Sequence, residues 1–261
     1  MNTPLDKNLL KEFLEEKYRQ YANSKFIEDD PIQFPHRFTR KEDIEIVGLI
    51  TATISWGNRK MINNSMNRLL QRMGESPYEF VISYSKKDEN RLKGFVHRTF
   101  NDQDCIDYIK VLKQIYVKDG GLQKLFRAGY KTDETIKSAI NQFRVKFEDY
   151  NNSSHTIKHV PNVAQGSACK RINMYLRWMI RPSCEGVDFG IWTGIPTSAL
   201  MMPLDTHSGR VARALGLLNR KQDDWKAVDE LTSILSEFDP VDPVKYDYAL
   251  FGLGVNEKFG V

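Results

Sequence analysis

Apolar residues recur at helical spacing along most of this chain, and no segment alternates with the two-residue period of a half-buried strand. That property restricts the fold to helices packed on helices. Residues 8–22 place Leu9, Leu10, Phe13, Tyr18 and Tyr21 near a helical period, while residues 22–42 hold two prolines and little periodicity and predict a loop. Residues 43–56 are strongly apolar and fit a buried helix or a strand; their length, and Asp43 as a cap, favour the helix. Residues 60–73 predict an amphipathic helix stopped by Gly74, and Ser76-Pro77 supplies the cap and first-turn proline of a helix over 77–85. Over 102–117, Cys105, Ile106, Ile109, Leu112 and Ile115 share one face that ends at Gly120-Gly121. A short helix follows to about residue 128, then one over 133–150 that starts at Asp133. Further helices are expected over 170–181, 205–217, 224–238 and 243–252, separated by a turn-rich 151–166 and a long connection over 182–204. The fold class is therefore all-α, with roughly ten helices.

Composition excludes several classes. Hydrophobic residues at 41% and charged residues at 28% belong to an ordinary globular chain, and no apolar run reaches membrane-spanning length. The N-terminal residues are mixed in charge and lack an apolar signal core, so a cytoplasmic location is expected. The three cysteines, Cys105, Cys169 and Cys184, are too few for a four-thiolate iron–sulfur site, and no histidine joins them at zinc-ligand spacing. No metal or cofactor is expected. Net charge is +4, but it is unevenly spread: between Lys158 and Arg220 eight Lys and Arg face three Asp and Glu. Such a segment is either a footprint for a polyanion or a solvated pair of Arg-rich helices.

Two segments carry residues suited to chemistry. Residues 160–176 (VPNVAQGSACKRINMYL) are a turn feeding a helix, where unpaired backbone N–H groups and the helix dipole suit a phosphate. Lys170, Asn173, Arg177 and Arg181 then recur at spacings of 3, 4 and 4, which predicts one polar stripe. Residues 202–217 (MPLDTHSGRVARALGL) start a helix at Asp205, whose carboxylate would accept backbone N–H bonds as an N-cap. An anion near a sugar can stabilise the positive charge that builds as a glycosidic bond breaks. A lysine amine, where a fraction of it is unprotonated, can attack the anomeric carbon and leave a Schiff base. Taken singly, Lys170 is an ordinary solvated charge and Asp205 an ordinary cap. Their joint occurrence raises the catalytic reading.

These segments resemble the helix-hairpin-helix DNA glycosylase superfamily, which includes endonuclease III and the 8-oxoguanine glycosylases. Lys170-Arg171-Ile172-Asn173 is similar to the lysine-bearing helix start of that family, and Leu204-Asp205-Thr206-His207 with Arg210-Val211 is similar to its carboxylate segment. The resemblance implies Lys170 as nucleophile and Asp205 as catalytic carboxylate, excising a damaged base, an oxidised one included, from duplex DNA with abasic-site lyase activity. It further implies DNA contacts from Gly166, Ser167, Arg171, Asn173, Arg177, His207 and Arg210, and a flipped base held near Trp56, Asn58 or Trp192. For the three last residues, and for Trp178, core or loop packing is the competing role. The hairpin carries Asn162-Val163-Ala164-Gln165-Gly166-Ser167 in place of the family's Gly-Val-Gly. Lys170 and Asp205 stand further apart than in endonuclease III and nearer the archaeal 8-oxoguanine glycosylase pattern.

The implied architecture is a central bundle of residues 43–172, hairpin included, and a second lobe of 1–42 and 173–261, with hairpin and Asp205 meeting at the cleft. A monomer bound to duplex DNA, with no membrane partner, is expected. Two other readings of the same residues are a DNA-binding protein that keeps the hairpin without the chemistry, and a helical scaffold whose Arg stripe meets an acidic protein. Gly252 and Gly254, with no strand before them, are expected to break a helix rather than bind a nucleotide.

Overall fold

Helical periodicity is met by helix throughout the computed structural model, which describes residues 6–151, 153–182 and 185–260. The α-helices among them are α1 (Lys7–Tyr21), α2 (Lys25–Asp29), α3 (Lys41–Ile54), α4 (Arg59–Met73), α5 (Pro77–Ser83), α6 (Glu89–Leu92), α7 (Asp102–Gln114), α8 (Leu122–Tyr130), α9 (Ile136–Tyr150), α10 (Lys170–Ile180), α11 (Thr206–Ala214), α12 (Trp225–Phe238) and α13 (Tyr246–Asn256). Among the described residues there is no strand, only two isolated bridges, and no helix is long and apolar enough to cross a membrane. Cys105 and Cys169 are buried, and Cys184 lies outside the described residues. The chain forms two compact units, one of Asp29–Pro161, the other of the residues up to Glu28 with those from Asn162 onward. These boundaries differ from the expected breaks after residues 42 and 172: the hairpin and Lys170 belong with the C-terminal helices.

In the unit of residues 29–161, α3 is buried from Asp43 to Ile54. It starts two residues before the expected cap. Asp43 sits inside its first turn, where the carboxylate accepts the Tyr78 N–H at 2.7 Å and the Ser76 hydroxyl at 3.3 Å. Asp43 thus caps α5, the neighbouring helix, rather than its own. The expected loop over 22–42 holds α2 and two 3₁₀ turns opened by Pro31 and Pro35, a position where proline's missing N–H costs nothing. Thr135, not Asp133, caps α9, its hydroxyl accepting the Ser138 N–H at 3.2 Å. Helices α8 and α9 approach closely at Gly129, where an added Cβ would stand 2.9 Å from Ala139 Cα, and Phe126 stacks on Phe143 with ring centres 5.0 Å apart.

In the other unit, α13 packs between α1 and α11. Gly252 and Gly254 lie within α13 and do not break it. They let neighbours in: a Cβ at Gly252 would run into the Tyr21 ring of α1, and one at Gly254 would stand 3.1 Å from His207 Cβ of α11. The sequence pattern around a contact glycine and a terminating glycine is the same; the partner helix decides. Among its described residues, the connection over 182 and 185–204 is irregular apart from a 3₁₀ turn at Thr197–Ala199.

Candidate active site

Lys170 owes its place to a short, tightly closed turn. The Asn162 side chain accepts the Gln165 N–H at 3.1 Å, the Asn162 carbonyl accepts the Ser167 N–H at 3.1 Å, and Gly166 takes up φ 83°. The Gly166 carbonyl accepts the Trp225 N–H at 2.9 Å, which ties the turn to the start of α12. Cys169 adopts φ 51°, a strained value for a side-chain-bearing residue, and α10 begins at the next position. The Ser167 hydroxyl accepts the Cys169 N–H at 3.2 Å. Lys170 is therefore the first helical residue after a rigid corner.

Asp205 is the N-cap of α11, as its position before Thr206-His207 predicts. Its Oδ1 accepts the N–H groups of His207 at 2.8 Å and Ser208 at 2.9 Å, and the Ser208 hydroxyl accepts the Asp205 N–H at 2.9 Å, completing a capping box. Those bonds occupy Oδ1. The other oxygen, Oδ2, stands 3.9 Å from Lys170 Nζ, and both side chains are partly exposed, at 28% for Lys170 and 20% for Asp205. The two motif segments thus converge on one amine and one carboxylate within a single unit.

Behind this pair lies a buried charge network that corrects the expected polar stripe. Arg177 and Arg181 are each 3% exposed and point inward, not to solvent. The Arg177 Nε donates to Asp188 at 3.3 Å and its Nη1 to Asp247, while its guanidinium lies 4.3 Å from the Tyr248 ring centre. Arg181 donates to Asp188 at 3.0 Å, Asp242 at 2.8 Å and the Tyr18 hydroxyl at 2.6 Å. An arginine so enclosed anchors α10, and its guanidinium is buried away from any DNA phosphate. Arg213 and Arg220 pair with Asp223 and Asp224, so the basic segment presents less positive surface than its residue count predicts.

Asp247 is the residue that the sequence reading missed. Burial pushes its carboxyl up to about 6 against the pull of Arg177, and the Asp205 charge raises it while Lys170 lowers it. The available signal was a lone acidic residue inside the apolar helix run Tyr246-Asp247-Tyr248-Ala249-Leu250.

The remaining expected residues separate by environment. Asn173 is buried, its Nδ2 donating to the Ala168 carbonyl at 3.2 Å, with Oδ1 lacking a partner. Gly166, Ser167 and Arg171 are half-exposed along the turn and helix start, and His207 is exposed. Arg210 donates to the Gly254 carbonyl at 3.3 Å. Trp192 and Trp178 are core residues; Trp192 packs edge-on against Tyr175 with ring centres 5.5 Å apart, which removes it as a stacking surface for a base. Trp56 and Asn58 belong to the 29–161 unit. Trp56 stacks on His159, and Asn58 caps α4 through the Lys60 N–H at 2.8 Å and lines a shallow depression with Lys60, Asn64 and Arg68. One group of side chains that could hold a cation occurs among the described residues, Asp104, His155 and His159, also in the 29–161 unit.

No curated protein and no solved structure matches the chain. Residues 30–256 match the model of the family described as "Protein of unknown function (DUF2400)".

Proposed function

The chain belongs to the DUF2400 family, and for this member we propose a DNA base-excision glycosylase with abasic-site lyase activity, in which Lys170 is the nucleophile and Asp205 the catalytic carboxylate. The observation that carries the reading is the 3.9 Å separation of Lys170 Nζ and Asp205 Oδ2, one delivered by the first residue of α10 and the other by the N-cap of α11. A cationic amine and a carboxylate at that distance attract without a direct hydrogen bond, so the amine keeps room to reach a third atom.

In the proposed reaction the neutral Lys170 amine attacks the anomeric carbon of a nucleotide flipped out of the duplex. The bond from that carbon to the base nitrogen breaks, and the base departs with the electron pair and gains a proton. The positive charge that builds on the sugar is stabilised by the Asp205 carboxylate. Opening of the sugar ring leaves an imine between Lys170 and the carbon, and loss of the adjacent proton expels the 3′ phosphate. The capping bonds to Asp205 Oδ1 hold the carboxylate in place without consuming Oδ2.

Borohydride trapping tests this directly, with duplexes carrying 8-oxoguanine, uracil or an abasic site. A covalent protein–DNA adduct that disappears in Lys170→Gln supports the assignment. An adduct that survives in Lys170→Gln assigns the nucleophile elsewhere, and absence of both adduct and base release on every duplex overturns the reading.

A further inference from the structure

We propose that Asp104, His155 and His159 form a binding site for a divalent transition cation of the zinc class. The inference does not rest on the glycosylase reading, since these residues lie in the 29–161 unit and Lys170 and Asp205 in the other.

Histidine–cysteine spacing in the sequence does not reveal this site, because its third member is a carboxylate from a helix distant in sequence. Asp104 is the third residue of α7 and is fully buried, held by a capping box in which its Oδ2 accepts the Asn101 N–H at 2.9 Å. His155 precedes the 3₁₀ turn Thr156–His159 and His159 ends it, a spacing that brings both imidazoles to the same carboxylate. His155 Nδ1 stands 2.8 Å from Asp104 Oδ1, and His159 Nε2 stands 3.3 Å from Asp104 Oδ2. The three donor atoms all lie within 4.8 Å of one another. Donors around a tetrahedral zinc at about 2.0–2.1 Å stand roughly 3.3 Å apart, so the observed spread needs only a small closure.

The surroundings are those of a supported ligand set. Thr156 Oγ1 donates to Asp104 Oδ1, from which it stands 2.9 Å, or to Asp107 Oδ2, at 2.7 Å, and so orients one carboxylate or the other. The His159 ring lies against the Trp56 ring at 5.8 Å and the edge of Phe100 at 5.0 Å, which fixes its plane. His155 is half-exposed, and its side gives a cation and a water molecule a way in. Two imidazoles and one carboxylate suit a borderline cation such as Zn²⁺, Co²⁺ or Fe²⁺, whereas Mg²⁺ and Ca²⁺ favour all-oxygen shells. Three protein ligands leave the fourth position for solvent. A bound cation would pin the 153–160 segment to the start of α7.

The test uses the full chain after removal of metal with a chelator, titrated with Co²⁺ and followed by visible absorption, with Zn²⁺ as competitor. We expect one Co²⁺ per chain, an intense tetrahedral-type band, and its displacement by one equivalent of Zn²⁺. His155→Ala, at the most exposed of the three positions, should fold normally and weaken binding at least about 100-fold, and Asp104→Asn should abolish the band. His207→Ala, an exposed histidine of the other unit, should leave it unchanged. Absence of saturable binding overturns the proposal, as does binding of unchanged affinity in His155→Ala or a band that persists in Asp104→Asn.

Discussion

Lys170 Nζ and Asp205 Oδ2 stand 3.9 Å apart, the amine on the first residue of α10 and the carboxylate on the residue that caps α11. Each position has its own local cause: a closed turn ending in the strained Cys169 for the first, a capping box with Ser208 for the second. Neither cause requires the other. Their convergence is a property of the packing and is the strongest structural support for reading the pair as a site.

Replacing Asp205 separates the cap from the charge. Asn caps a helix about as well as Asp, so Asp205→Asn should lose no more than about 1 kcal/mol of unfolding free energy. Under the proposed mechanism it should lower single-turnover base release by about 10²–10³-fold, because the charge facing the sugar is gone. Near-normal excision by the variant would reduce Asp205 to a structural cap.

Arg177 gives the opposite pattern. It is enclosed by Asp188, Asp247 and the Tyr248 ring, so Arg177→Ala removes the arginine paired with Asp247 and leaves Asp188 with Arg181 alone. Removal of one partner from such a pair costs about 3–5 kcal/mol, which urea unfolding would measure. Binding to duplex DNA should show the same dependence of log affinity on log salt as the parent chain, since a buried guanidinium releases no counterions. A phosphate contact would instead lower that slope by about 0.9.

The same arginine shows where sequence reading stops. Spacings of 3 and 4 correctly place Lys170, Asn173, Arg177 and Arg181 on one stripe of α10, but periodicity does not say which way a charged stripe faces. Here Arg177 and Arg181 face Asp188, Asp242 and Asp247, acids supplied by other segments, and so the stripe beyond Lys170 is interior. Helix positions were legible because apolar period, Gly74, Ser76-Pro77 and Asp205 are local signals. Asp43 misled because it caps α5 across space rather than α3 in sequence. Asp247 and the Asp104–His155–His159 group were not legible, since their partners come from distant parts of the chain.

Gly252 offers a check on helix packing that is independent of function. The Tyr21 ring occupies the space a Cβ would need. Gly252→Ala gains helix propensity of about 1 kcal/mol but forces α1 and α13 apart, a change that costs about 1–3 kcal/mol in a packed interior. We expect a net loss of stability in thermal unfolding. The double variant Gly252→Ala with Tyr21→Ala should recover part of it, and a Gly252→Ala chain more stable than the parent would show that the two helices do not meet there.

Asp247 should leave a mark on the pH dependence of stability. The groups around it are Arg177 and Lys170, which favour its charge, and Asp188 and Asp205, which oppose it; burial is the largest influence and raises its carboxyl to about 6. An unfolded aspartate titrates near 3.9. Between these values the folded chain holds a proton that the unfolded chain has released, so protons favour the folded state in that window. The stabilisation from Asp247 is therefore complete below pH ~4, falls as the pH rises through about 6, and is absent above it. Two units of separation correspond to at most about 3 kcal/mol. Asp247→Asn cannot titrate, so the difference in unfolding free energy between parent and variant should change by an amount of that order between pH 4 and 6.5 and level off beyond it. The other carboxylates of the chain titrate in both proteins and cancel in the difference. A difference that stays constant over this interval would mean that Asp247 is ionised throughout, held by Arg177 strongly enough to offset its burial.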